Sequence, residues 1–147
     1  MSKIEQNRLG IQLALESLRT NRFTNIAASQ PQGTFPSAHI TAERDGVKCF
    51  IGVTSREEIG AEGEYNPCYN LVKTAADLKE ARRQAQAIGA VPGFVMIALN
   101  RSKGRFSAYY GTLERIGIET RCVPMLPQNR LAYELLADRE DSRIVDI

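Results

Sequence analysis

The segment "FPSAHITAERDGVKCFIGVTSREEIG", Phe35 to Gly60, decides how the rest of the chain is read. Asp45-Gly46 sits between two alternating or apolar runs, the strongest short-range sign of a hairpin, because both residues tolerate the positive φ of a tight turn. The spacing predicts one strand over 38–43, a turn at Arg44-Asp45-Gly46 and a second strand over 47–54. In the second strand Val47, Cys49, Phe50, Ile51 and Val53 are nearly continuous, as in a strand covered on both faces.

The elements on either side are α and β in alternation. Ile4, Ile11, Leu15 and Leu18 recur at helical spacing and predict a helix over 4–21, with Gly10 marking a weak point or a close packing contact. "TNRFTNIAAS" reads as a turn into a short strand, and "QPQGTFPS" as a loop. Residues 55–73 are polar and glycine-bearing, an expected exposed connection. Thr74 followed by Asp77 resembles a capping box and starts a helix over 75–88, with Leu78, Ala81, Ala85 and Ile88 inward and Gly89 after its end. "VPGFVMIALN" and "RFSAYYGTL" are strands across a turn, "IETRCVPML" an edge strand, and "NRLAYELLADRE" a final helix over about 128–140. The expectation is one α/β domain over 1–147, a mixed central sheet of about 4–5 strands flanked by helices.

Composition narrows the function classes. Of the 147 residues, 43% are hydrophobic and 24% charged, as in ordinary globular proteins. "FVMIAL" is too short to cross a bilayer, so no membrane association is expected. No charged leader precedes an apolar stretch, so a cytoplasmic location follows by default. Three widely spaced cysteines, Cys49, Cys68 and Cys122, argue for free thiols rather than a disulfide framework or zinc site. The net charge of +2 is small, but five of the 17 acids lie in the tail from Glu134 on, leaving a body with 17 basic and 12 acidic residues. Arg101, Lys103 and Arg105 in one turn, Arg19 and Arg22 at the end of the first helix, Arg82 and Arg83 on the second, and Arg56 on the second hairpin strand are candidate phosphate contacts. The alternative is a solvated surface, with arginines favoured at helix C-termini by the dipole.

A helix, a strand pair, then a helix and a strand resembles the PD-(D/E)XK, or restriction endonuclease-like, superfamily, most of all archaeal Holliday junction resolvase-like domains. "FPSAHI" stands where that family has Pro-Asp-Ile, with two residues inserted after Pro36. "IGVTSR" stands where it has Ile-Glu-x-Lys-Ser-Arg. The 13-residue step from His39 to Gly52 fits those resolvases, and the similarity spans about Asn7 to Arg115. The resemblance implies a Mg²⁺-dependent nuclease, but its acid, acid and lysine are replaced by His39, Gly52 and Thr54. Mg²⁺ needs hard oxygen ligands and a lysine assists the attacking water, so none of the three can do the family's chemistry. A further acidic slot on the first helix falls near Ile11 or Gln12, neither acidic.

No catalytic residue, metal or cofactor is therefore expected. The leading expectation is an inactive nuclease-fold protein that binds nucleic acid, DNA favoured, or a protein partner, and forms a homodimer as the resemblance implies. DNA processing or mobile-element biology is the context that the resemblance suggests. One alternative is an active Mg²⁺ endonuclease with Glu57 and Glu58 as relocated ligands. Another is an interaction module without nucleic-acid binding. His39 has two readings: a packed neutral imidazole, or a general base or phosphate contact acting with Thr54, Ser55 or Arg56.

Overall fold

The computed structural model describes residues 2–29, 39–72, 74–117 and 120–145. Helix α1 (Lys3–Thr20) starts where the Ser2 hydroxyl accepts the Glu5 N–H at 3.1 Å. Its buried face is Leu9, Leu13, Ala14, Ser17 and Leu18, whereas Ile4 is 70% exposed and Ile11 and Leu15 are half-buried. The expected stripe is thus rotated. Gly10 explains the rotation: a Cβ there would stand 2.8 Å from the Ser55 Cβ. The helix rides on the sheet along its Gly10 line and turns the residues beside that line inward.

β1 (Thr24–Ser29), β2 (His39–Arg44) and β3 (Val47–Glu57) form an antiparallel meander. The β2–β3 turn is the two residues Asp45 and Gly46, at φ 55° and 78°, the doubly positive turn that their chemistry favours. After the short β4 (Cys68–Asn70), α2 (Ala75–Ala87) begins with the expected capping box, Thr74 and Asp77 exchanging two 3.2 Å hydrogen bonds. Gly89 follows it at φ 67°. β5 (Val91–Asn100) then runs parallel to β3, and β6 (Arg105–Thr112) returns antiparallel to β5. The short α3 (Leu113–Ile116) and β7 (Cys122–Pro124) come next.

The chain ends differently from expectation. In place of a helix over about 128–140 there is a 3₁₀ turn, Arg130–Ala132, and a strand, β8 (Glu134–Glu140), paired with β6. Leu131 and Leu135, whose spacing suggested a helix face, are 89% and 50% exposed, while Leu136 is buried. Arg44 grips Glu134 with two hydrogen bonds of 2.8 and 2.7 Å, tying the start of β8 to the β2–β3 hairpin. An open β6 edge and this grip outweigh helical propensity. The last element, α4, is Ser142–Val145.

Among the described residues the main sheet has six strands in the order β1-β2-β3-β5-β6-β8, larger than the four or five expected, and only β3–β5 is parallel. One face carries Ile40, Ile51, Val95, Ile97, Leu99 and Phe106 against α1. On the other, Ala81 and Ala85 of α2 cover Phe50, and Leu78 joins Phe94, Met96 and Ala98. β4 and β7 form a separate two-stranded unit that straps this second face. It brings in Tyr69, Val123 and Met125, all fully buried, so the stretch expected to be an exposed connection is partly core. Cys68 and Cys122, expected as free thiols, are disulfide-bonded: strand pairing sets Asn70 opposite Cys122 and brings the two Cα atoms to 5.9 Å. Cys49 is free and buried.

Candidate functional site

His39, Gly52 and Thr54 do converge. His39 and Gly52 are direct cross-strand partners, and Thr54 lies two residues further along β3, on the same face. That face is the one covered by α2 and the strap. The three motif positions therefore occupy one continuous patch, but its chemistry is packing. Gly52 lies opposite Phe94 of β5, and a Cβ at 52 would meet the Phe94 ring at 2.4 Å. The ring fills the volume that a carboxylate would occupy. The His39 imidazole stacks on Phe50, centroids 4.5 Å apart and planes 26° from parallel. Burial holds its pKa below the usual histidine value, so it is neutral at pH 7. The Thr54 hydroxyl donates to the Asn70 carbonyl at 2.8 Å, joining β3 to the strap.

The acids at the end of β3 are held by guanidinium groups. Glu57 pairs with Arg101 at 2.8 Å and Glu58 with Arg130 at 2.9 Å. Glu58 also accepts from the Asn100 amide at 3.3 Å. Among the described residues no cluster of three His, Cys, Asp or Glu is placed to hold a metal ion.

The candidate phosphate contacts fall into three places. Arg19 and Arg22 lie at the hairpin-turn end of the sheet, where Arg22 is 3.6 Å from Asp45. Arg82 and Arg83 are on the exposed side of α2, where Arg83 is bound to Glu80 at 2.6 Å. Arg56, Arg101, Lys103 and Arg105 gather near the far end of β3 and the β5–β6 turn. Arg105 there faces Asp138 at 3.4 Å and Glu140 at 3.8 Å. Four of the eight residues named from the sequence are thus in contact with a carboxylate, which cancels most of their field at a distance.

Two features had no sequence signal. Arg130, from the 3₁₀ turn, is 8% exposed and reaches Glu58 across 72 positions of sequence, while its Nε donates to the Met125 carbonyl at 2.9 Å. Its Nη2 and the Tyr69 hydroxyl are buried without a hydrogen-bond partner among the described residues. Burial pushes the Tyr69 phenol up to about 12. On the strap, Asn70, Val72, Arg121 and Cys122 line an open cleft of about 640 Å³.

Comparison with protein-family models, with curated proteins and with solved structures finds no match for the chain.

Proposed function

We propose that this chain is a restriction endonuclease-like scaffold that binds a partner without cutting nucleic acid. The observation that carries this reading is the Phe94 ring over Gly52: the slot that would hold the central metal-binding acid is filled with hydrocarbon. The order helix, strand pair, helix, parallel strand, with positions 39, 52 and 54 on one face, supports the fold resemblance. The ion pairs of Glu57 and Glu58 count against relocated metal ligands.

The partner best supported is a protein, a second copy of this chain included. Leu131, 89% exposed in the 3₁₀ turn, and Leu135, 50% exposed on the outer strand β8, stand close together in sequence at the sheet edge, while half of the candidate basic residues are paired with carboxylates. A nucleic-acid reading is favoured by one observation: Arg56 and Lys103 stand near one end of the sheet with no carboxylate contact among the described residues.

Incubation with linear and branched DNA in Mg²⁺ or Mn²⁺ should give no cleavage. Cleavage that Glu57→Gln with Glu58→Gln abolishes would overturn the proposal. Gly52→Glu should lower stability by about 3 kcal/mol in urea unfolding, through overpacking and a buried charge, rather than create metal-dependent cutting. Anisotropy with labelled DNA at low salt should show no binding. Salt-sensitive binding weakened by Arg56→Gln and Lys103→Gln would establish the nucleic-acid reading instead.

A further inference from the structure

We infer that the Cys68–Cys122 disulfide is a thiol-exchange site, attacked at Cys122 from the open cleft, and that its redox state sets how firmly the β4–β7 strap covers the α2 face of the sheet. Three observations carry this. First, access: Cys68 and Cys122 are half-buried rather than sealed, and Cys122 lines the cleft together with Asn70, Val72 and Arg121. The third cysteine, Cys49, is 4% exposed on the opposite face of the sheet, and burial raises its pKa, so it is protected from the same reagents.

Second, dependence: β4 and β7 are three residues each and, among the described residues, pair as strands only with one another. Two backbone bonds extend the ladder, from Leu71 N–H to the Arg121 carbonyl at 2.8 Å and from Met125 N–H to the Pro67 carbonyl at 2.9 Å. A two-stranded unit of this size is marginal in water. The covalent link closes a sequence separation of 54 residues and so restrains the open state. Third, bias: the buried Tyr69 hydroxyl and Arg130 Nη2 have no hydrogen-bond partner among the described residues, and opening would let water satisfy both.

The exchange balances with a dithiol as reductant. Its thiolate attacks Cys122 Sγ, the Sγ–Sγ bond breaks, and Cys68 leaves as a thiolate that takes a proton from water. The second thiolate of the dithiol then attacks its own sulfur in the mixed disulfide and releases Cys122. Two electrons pass from the dithiol, which becomes a cyclic disulfide, to the protein.

The test is a titration of the native chain with dithiothreitol, trapping thiols with iodoacetamide for mass analysis and following backbone hydrogen exchange. Alkylation should appear at Cys68 and Cys122 together, with Cys49 unlabelled and the circular dichroism unchanged. Exchange of amides in 68–72 and 122–125 should rise by about tenfold or more while those of β3, β5 and β6 hold. The double variant Cys68→Ser with Cys122→Ser should show the raised strap exchange without reductant. Labelling before any reductant, labelling only in step with Cys49, or reduction that leaves strap exchange unchanged would each overturn the inference.

Discussion

The six-stranded sheet and the β4–β7 strap are built on opposite principles. In the sheet, β2–β3 is joined by a two-residue turn and β5–β6 by a short one, so most neighbours in space are neighbours in sequence. In the strap, three-residue strands come together from segments 54 residues apart and are held by a covalent bond. A ladder with buried faces supports itself, whereas a small cover depends on a staple and on the apolar side chains that it presses down.

The sharpest way to break the contrast is to damage the sheet itself. Phe106→Ala empties a fully buried site on the α1 face and should cost about 4 kcal/mol, seen as one cooperative loss of all secondary structure in chemical unfolding. Met125→Ala removes a buried strap side chain and should cost less, about 2 kcal/mol, because the strap can settle inward. Hydrogen exchange should then rise first at 68–72 and 122–125. The smallest effect concerns His39. Its folded pKa is lowered by burial, so near pH 6.5 the unfolded chain binds more protons than the folded one. Stability should fall as pH drops from about 7 through the lowered pKa, and with one histidine in the chain His39→Gln should flatten that slope. A slope that persists in the variant would assign it to other groups.

What was legible in the sequence was local. Asp45-Gly46 fixes the hairpin, Thr74 and Asp77 fix the start of α2, Gly89 its end, and the apolar runs of β3 and β5 their burial. Position 10 could be flagged from its glycine, and the contact with Ser55 gives the reason. The spacing of His39, Gly52 and Thr54 supported only a resemblance; their shared patch comes from the β2–β3 register, and the Phe94 ring that fills it comes from a strand about 40 residues further on. The illegible parts were decided at long range. Leu131 and Leu135 have helical spacing, but β6 offered an unpaired edge and Arg44 a partner for Glu134. Nothing around Tyr69 distinguishes a buried strand from a polar connection, and no local pattern joins Cys68 to Cys122 or Glu58 to Arg130.

The one parallel pair, β3 with β5, has a consequence in time rather than energy. The hairpins β2–β3 and β5–β6 close over short loops and should assemble within microseconds to tens of microseconds. Bringing β5 alongside β3 requires the intervening strap segment and α2 to be gathered first, and that ordering entropy comes before any ladder bond repays it. Joining the two hairpins is therefore the late step. A nascent chain halted before Val91 holds the β3 edge, with its run of Phe50, Ile51 and Val53, open to the first strand that reaches it.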